Sequence, residues 1–182
     1  MSPVECMVLG LLYQGCKYGH EIDKVVTERH MRIWSKLTRA SMYQALTRIE
    51  EKGWAKTTVE KDGNFPERKM YMLTDTGEKA LKAMLHEGLA SSEYVEFKIS
   101  IYISFIYVLP PQEAIEQLTK RLKARMELMN TLPALSDEDD KRIGKKANHR
   151  LIKGYYQLEI EWLKSLLAEL KDNLQEGYNH ED

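Results

Sequence analysis

Residues 38–53 read TRASMYQALTRIEEKG and predict one amphipathic helix. Thr38 is suited to the N-cap, and Gly53 follows the last helical residue, about Lys52. With about 100° between successive residues, the apolar positions fall within about one-third of the circumference. They are Met42, Ala45, Leu46 and Ile49. Polar side chains lie opposite them or on the flanks: Ser41, Tyr43, Gln44, Thr47, Arg48 and Glu51. The helix therefore has one face for a core and one for a partner.

Two further helices are expected before this one. Ser2 and Glu5 have the spacing of a capping box, Pro3 suits the first helical position, and Gly15 is a C-cap glycine. An apolar stripe of helical period lies between them: Val4, Met7, Val8, Leu11 and Leu12. A shorter helix is expected from about Gly19 to Arg29, with its apolar side chains inward: Ile22, Val25 and Val26.

A hairpin is expected after Gly53. Residues 54–60 and 69–73 are rich in strand formers, and residues 61–64 (Lys-Asp-Gly-Asn) carry a turn signal. Thr74 or Asp75 caps a fourth helix that runs to about Gly88. Residues 1–75 thus have the element order of a winged helix-turn-helix. In that fold the third helix enters a DNA major groove and the hairpin reaches the adjoining backbone or minor groove.

The second half is expected to be helical. Residues 99–109 alternate with a period of two, so a strand also fits, although a helix is preferred because the neighbouring segments are helical. One helix is predicted from Pro111 to about Thr131, and another from Ser136, with Asp139, to about Leu174. The last helix carries an apolar stripe of six residues: Leu151, Tyr155, Leu158, Trp162, Leu166 and Leu170. Four more widen it, so that it faces more than one neighbour: Ile152, Tyr156, Leu163 and Leu167.

We therefore predict a mainly α (α+β) fold, with a winged helix-turn-helix at 1–88 and an all-helical domain at 89–182. Charge follows this division: residues 1–83 carry 14 basic and 11 acidic side chains, whereas residues 84–182 carry 13 and 17. The N-terminal half is thus better suited to a polyanion.

Several classes of protein are excluded by the sequence. No apolar run reaches the roughly 18 residues that span a bilayer, and the N-terminus lacks a basic leader, so a cytoplasmic protein is expected. No phosphate loop, nucleophile elbow, HExxH or paired-carboxylate site is present, so neither an enzyme nor a cofactor is expected. Cys6 and Cys16 lack zinc-site spacing and the five histidines are scattered; reduced thiols are expected, with a redox sensor as the alternative.

Four segments resemble the PadR family of transcriptional regulators in order and spacing. They are Leu9-Gly10-Leu11-Leu12, then Tyr18-Gly19-His20-Glu21-Ile22, then residues 41–53 (SMYQALTRIEEKG), then residues 68–77 (RKMYMLTDTG). This resemblance covers residues 1–83. The C-terminal part is similar to the helical domain of the longer PadR subfamily, which includes the virulence-activator type. Trp54, where the family more often has an aliphatic residue, and the weakly basic hairpin tip at 62–65 depart from the pattern.

The resemblance implies a homodimer whose main contact is formed by the C-terminal helices, for which we select the six-residue stripe of the last helix. It also implies a pseudo-palindromic operator, repression as the usual outcome, and, in some members, a response to small aromatic or drug-like molecules. An aromatic series is one potential effector pocket, although core or dimer interface also fits: Tyr94, Phe97, Tyr102, Phe105 and Tyr107.

Specific roles are predicted for twelve DNA-binding residues. On the third helix, Gln44 suits an adenine edge, Arg48 a guanine or phosphate, and Thr47 a base or a thymine methyl. Other side chains are assigned to phosphates and register, namely Thr38, Ser41 and Tyr43 on that helix, Lys17, Tyr18 and His20 at the start of the second, and Lys61, Arg68 and Lys69 in the wing. Arg39 is left out because it lies near the buried side of the helical wheel. A winged helix that binds proteins and not DNA is the alternative function.

Overall fold

The computed structural model describes residues 2–35, 37–61, 67–93, 96–132 and 143–178, with side chains to 174. The chain divides into two compact units, 1–93 and 94–182. The predicted hairpin tip, Tyr94 and the Ser136–Asp139 helix start lie outside the described residues. The predicted domain boundary after residue 88 stays a prediction, and that position lies within the last turn of a helix.

The first unit has the element order that the sequence predicts. Its helices are α1 (Pro3–Tyr13), α2 (Gly19–Glu28), α3 (Arg39–Glu51) and α4 (Asp75–Ala90), with a single 3-10 turn at Met31–Ile33. Its strands, β1 (Ala55–Glu60) and β2 (Arg68–Leu73), pair antiparallel from Ala55–Leu73 to Glu60–Arg68. This is a winged helix-turn-helix.

The apolar face of α3 lies at the centre of this unit. Its four predicted core residues are fully buried, as expected: Met42, Ala45, Leu46 and Ile49. They pack with buried side chains of α1, α2 and α4, among them Leu9, Ile22, Val26 and Leu81. Because the apolar face of α3 is completely covered, its polar face is turned away from the core.

Both ends of α3 are fixed by local hydrogen bonds. The Thr38 hydroxyl accepts from the Ser41 N–H (3.0 Å), and the Thr38 N–H donates to Ser41 Oγ (2.9 Å). At the other end Gly53 has a φ of +68°, and the Trp54 N–H donates to the Ile49 carbonyl (2.9 Å). This is a Schellman motif, in which glycine tolerates the left-handed backbone. The predicted N-cap and terminating glycine are confirmed.

The start of α1 differs from the prediction. Ser2 is the N-cap residue but its side chain makes no capping hydrogen bond. The Glu5 carboxylate does not form the expected capping box; it is buried and contacts Lys52 on α3. The capping-box prediction was wrong because a cation from a distant helix competes better for this carboxylate than a nearby backbone N–H.

The wing is tied to the chain just before α2. Tyr18 forms a β-bridge with Met70, and the Tyr71 N–H donates to the Lys17 carbonyl at 2.8 Å. Tyr71 itself is buried and belongs to the core of the first unit. The hairpin is thus held by a short third strand segment as well as by α3.

Gly77 gives a stability prediction for this unit. A Cβ on Gly77 would lie 2.0 Å from the Trp54 carbonyl oxygen, so Gly77→Ala forces α4 away from the turn after α3. We expect a loss of about 1–3 kcal/mol in the free energy of unfolding, measured by urea denaturation. Gly88→Ala, on the same helix but with open space around its Cβ, is the matched control and should be neutral or stabilising by up to about 1 kcal/mol. Equal stabilities of the two variants would contradict this packing account.

The elements that the structure describes in the second unit are all helical. It contains α5 (Lys98–Ser104), a 3-10 turn at Ile106–Val108, α6 (Pro111–Asn130) and α7 (Ile143–Tyr178). The ambiguous segment 99–109 is therefore helical, and the strand alternative is wrong. Helix α6 packs on α7 through a small core of Ile115, Leu118, Leu163 and Leu167. No helix in the described ranges has the length and apolar character needed to cross a membrane.

A buried ion cluster adds to the contact between α6 and α7. The Glu159 carboxylate on α7 lies 2.9 Å from Arg121 Nε and 2.7 Å from Arg125 Nε, both on α6. A buried carboxylate needs such partners because its transfer out of water is costly. The pairing fixes the register of the two helices.

Candidate nucleic-acid interface

The polar face of α3 presents side chains for a partner. Gln44, Thr47 and Tyr43 are exposed, and within the described part of the chain no hydrogen bond or ion pair engages the Gln44 amide. The Thr47 hydroxyl donates back to the Tyr43 carbonyl at 3.2 Å, so the methyl group is the part of this side chain that remains for an apolar contact. An amide carries a donor and an acceptor side by side, which is the pattern that an adenine edge requires.

Arg48 lies on a flank of α3 and has a partner within the protein. Its Nε is 3.4 Å from Glu5 Oε1 on α1, and its side chain remains 47% exposed. The guanidinium therefore keeps solvent-accessible N–H groups while one edge faces Glu5. This arrangement fixes the side chain's direction and remains compatible with a contact to a guanine or a phosphate.

Two predicted phosphate contacts on α3 have structural roles. Thr38 and Ser41 exchange hydrogen bonds across the first turn of the helix, as described above. Their hydroxyl groups are thus engaged in capping, although an oxygen lone pair or a hydroxyl proton can still serve a further partner. Their assignment to DNA stays a prediction.

Arg39 is a residue that the sequence analysis passed over. Its position on the wheel suggested the buried side, but its side chain is 69% exposed and lies 3.6 Å from Asp23 on α2. The helical wheel gives the wrong side because Arg39 is the first residue of α3. At the end of a helix a side chain lies beyond the core that the central turns pack against, and it can reach solvent. Arg39 therefore joins the candidate cations of this face.

The start of α2 is organised differently from the prediction. Glu21 accepts hydrogen bonds from the N–H groups of Lys17 (2.8 Å) and Tyr18 (3.2 Å). A phosphate at these two N–H groups would compete with a carboxylate that is already present, so the backbone at the start of α2 is not available for phosphate binding. His20 stacks on the Tyr18 ring at 5.4 Å between centroids and is exposed. The side chains of Lys17, Tyr18 and His20 remain candidates through their exposed parts.

Tyr18 links α2 to the wing. Its hydroxyl donates to Glu60 Oε2 at the end of β1, and this hydrogen bond raises the pKa of Tyr18. A neutral phenol is therefore the form held at this position. Together with the Tyr18–Met70 bridge, the contact indicates that Tyr18 positions the hairpin.

The three predicted cations of the wing, Lys61, Arg68 and Lys69, are all exposed. Lys69 Nζ lies 2.5 Å from Glu50 Oε2 on α3, and Thr57 donates to the other oxygen of Glu50 at 2.7 Å. The Lys69 hydrogen bond lowers the pKa of Glu50 and raises that of Lys69, so both groups stay charged over the physiological pH range. Lys69 thus links the wing to α3 through an ion pair, and it also remains a candidate for a contact with DNA.

Redox sensing by the two cysteines and metal binding receive little support from the described residues. Burial raises the pKa of both Cys6 and Cys16, whereas a reactive thiol needs a lowered value. Across the described segments, no group of His, Cys, Asp and Glu side chains is placed to hold a metal ion.

In the second unit, part of α7 is left uncovered. Leu151, Tyr155, Leu158 and Trp162 are exposed, with Leu158 at 66%. Leu166 and Leu170 instead pack toward the core shared with α6. Successive steps of four residues advance by about 40° beyond a full turn, so the end of the predicted stripe rotates onto the α6 side. The exposed first part is suited to a second chain.

The predicted aromatic series extends this uncovered surface. Phe97, Tyr102, Phe105 and Tyr107 are all exposed, which excludes the core alternative for these four residues. Phe97 stacks on Tyr155 of α7, with centroids 6.3 Å apart. The dimer-interface and effector-pocket interpretations both remain predictions.

A cleft in the first unit was not anticipated. It has a volume of about 680 Å³ and lies between α1, α4 and the 3-10 turn. Its lining is largely apolar, with Met7, Trp34 and Leu85, and includes the cation Arg29, whose Nη1 donates to Gln14 at 2.6 Å. Sequence periodicity gives no signal for such a cleft, because it depends on how far apart two helices pack.

Comparison of the sequence with known protein families gives one match in each unit. Residues 8–83 match the Transcriptional regulator PadR-like family, and residues 100–171 match the Virulence activator alpha C-term family. The chain thus combines a PadR-like transcriptional regulator domain with a Virulence activator alpha C-term domain. The two matches cover the winged helix-turn-helix and the α5–α7 region, as the resemblance in the sequence implied.

Individual PadR-like proteins are similar along most of the chain. The Negative transcriptional regulator PadR of Bacillus subtilis is 29% identical over 136 residues, which is 72% of this chain and 72% of that relative. Its crystal structure with operator DNA has a TM-score of 0.76 at 24% identity, covering 93% of this chain and 99% of that one. Its complex with p-coumaric acid gives 0.73 at 23%, covering 92% and 98%.

A second relative has the same fold. The Vibrio cholerae virulence activator AphA matches with a TM-score of 0.73 at 18% identity, covering 93% of this chain and 98% of that one. At these identities the solved structures support the PadR-like fold, and the roles of individual residues follow from this chain's own geometry.

Proposed function

We propose that the protein is a sequence-specific DNA-binding transcriptional regulator, a homodimeric repressor that binds a pseudo-palindromic operator. The observation that carries this proposal is the amphipathic α3 of a PadR-like winged helix, whose apolar face is fully buried and whose polar face, with Gln44 and Thr47, is exposed. A helix of this kind fits a major groove, where amide and hydroxyl groups distinguish base pairs.

Cations of α3 and the wing supply the affinity for the backbone. Arg39, Arg48, Lys61, Arg68 and Lys69 are exposed on these elements. Three of them lie beside carboxylates: Arg39 beside Asp23, Arg48 beside Glu5 and Lys69 beside Glu50. Internal pairing limits indiscriminate attraction to phosphate, so base contacts contribute a larger share of the recognition.

The homodimer is supported by the uncovered side of α7 and by the PadR-like family. A symmetric dimer places two copies of α3 on DNA, which matches the two halves of a palindrome. Repression is favoured because the curated relative from B. subtilis is a negative transcriptional regulator. The chain then acts in the cytoplasm, without catalysis.

A small aromatic carboxylic acid is the proposed effector, since the B. subtilis relative has been solved with p-coumaric acid. The cleft of the first unit is the proposed site, because its apolar lining accommodates a ring and Arg29 suits the carboxylate. Glu87 and Glu93 also line the cleft, so the carboxylate of the ligand must lie beside Arg29 and away from them. We expect p-coumarate to release the DNA. We expect Arg29→Gln to raise the concentration needed by about tenfold or more, the effect of losing one charge-assisted hydrogen bond.

Release is measured by fluorescence anisotropy of a labelled duplex. Arg32→Gln is the matched control, because Arg32 pairs with Asp23 and does not line the cleft. If the acid fails to release DNA, the effector proposal is wrong; if both arginine variants respond like the wild type, its location is wrong.

The direct test is binding of the full chain to the DNA upstream of its own coding sequence and to a shuffled duplex of equal length. In an electrophoretic mobility-shift assay we expect the upstream duplex to be bound, with an affinity that falls steeply as the salt concentration rises. Absence of any shift at low salt would instead favour the alternative, a winged helix that binds a protein.

A further inference from the structure

Glu5 is a buried carboxylate that the proposed function does not use. It lies on α1, is 3% exposed, and faces the last turns of α3. Lys52 Nζ is 3.0 Å and 2.9 Å from its two oxygens, and Arg48 Nε is 3.4 Å from one of them. An unpaired carboxylate at this depth would be strongly unfavourable, so the two cations and Glu5 are held together.

Trp54 holds Lys52 from a second side. The Lys52 ammonium lies 4.4 Å from the centroid of the Trp54 ring, a cation–π distance. Trp54 is the position at which the sequence departs from the usual aliphatic residue of the PadR family. Lys52 is thus fixed by a carboxylate and by an aromatic face, while Arg48, one turn earlier on the same flank, forms an ion pair with the same carboxylate.

We propose that Glu5 is a positioning residue that sets the specificity of the DNA interface: it orients Arg48 for base recognition and withholds Lys52 from phosphate. This inference rests on the proposed function of α3. A free lysine at this end of α3 adds sequence-independent affinity, because each phosphate that it neutralises releases counterions from any DNA. A carboxylate that holds the lysine in place reduces this contribution and leaves base contacts dominant.

The first experiment compares wild type and Glu5→Gln on two duplexes, one selected from a random pool by the wild-type chain and one shuffled. The freed Lys52 should steepen the slope of log K against log salt on the shuffled duplex by about 0.9 per protomer. The ratio of affinities for selected and shuffled DNA should fall by about fivefold or more, the low end of one base contact. An unchanged slope and ratio with a lowered Tm would show that Glu5 is only structural, and would overturn the proposal.

Two variants complete the test. Glu78→Gln makes the same change in net charge on α4, where Glu78 pairs with Lys82, and should leave the slope and the ratio at wild-type values. Lys52→Gln replaces the ammonium with an amide donor and leaves Arg48 beside the Glu5 carboxylate, so it gives a result even if Glu5→Gln does not fold. We expect it to leave the wild-type slope unchanged and to cancel the excess slope in the Glu5→Gln background.

The outcomes separate this inference from the function on which it rests. If Lys52→Gln alone lowers the slope of log K against log salt by about 0.9 per protomer, Lys52 already contacts phosphate in the wild type. This result would overturn the proposal that Glu5 withholds Lys52 from DNA. If the wild-type chain selects no duplex from the pool, the proposed function itself is wrong.

Discussion

Leu158→Glu is expected to convert the protein into a monomer that no longer binds a two-site operator. Leu158 is exposed on α7 in the isolated chain, so the substitution should change the stability of the monomer by no more than about 0.5 kcal/mol. In the proposed dimer each copy would bury an unpaired carboxylate, at about 3–5 kcal/mol, which corresponds to about 100-fold or more in the dimer dissociation constant.

Sedimentation equilibrium at micromolar concentration measures this effect. Gln157→Glu is the matched control, since it adds the same charge one residue earlier on the same helix, at an exposed position about 100° from Leu158 around the helix. It should remain dimeric. A Leu158→Glu variant that is still a dimer at these concentrations would place the interface elsewhere.

The second large effect is expected for Gln44→Ala. Removing the amide from the exposed face of α3 should weaken binding to the selected duplex by about 1–3 kcal/mol, or about fivefold to 150-fold, at unchanged dimerisation. Discrimination should be lost at one base position in each half-site, while binding to shuffled DNA stays the same. The reason is that an amide reads a base edge and contributes no charge.

Anisotropy titrations on duplexes with single base-pair substitutions test this assignment. Gln112→Ala, an exposed glutamine on α6, removes the same side chain away from α3 and should behave like the wild type. Equal weakening on every duplex, with no position relaxed, would indicate that Gln44 contacts the backbone and would remove its role in base recognition.

Local features of this fold could be predicted from the sequence. The core face of α3 follows from the spacing of Met42, Ala45, Leu46 and Ile49, and its ends follow from Thr38 and Gly53. Each depends on residues within about two helical turns of each other, where helix geometry and backbone sterics decide the outcome. The order of elements, and with it the winged helix, follows from these local signals.

Long-range contacts could not be predicted in the same way. Glu5 was assigned to a helix cap and instead meets Lys52, 47 residues away in sequence. Lys69 was predicted to contact a DNA phosphate, and in the structure it also forms an ion pair with Glu50. Such pairs depend on which helices pack against each other. From a single sequence, several carboxylates are equally plausible partners for any one cation. The candidate interface was therefore predicted at the level of a helix face, whereas the partners of its cations required the structure.

Guanine methylation interference on the selected duplex tests the central claim most directly, because N7 methylation blocks only the major groove. A symmetric dimer with one α3 per half-site predicts two clusters of interfering guanines, with centres about 10 base pairs or a whole multiple of that apart. A single cluster of interfering guanines, or no interference from any guanine N7 in the site, would contradict the account of α3 as the DNA-reading element.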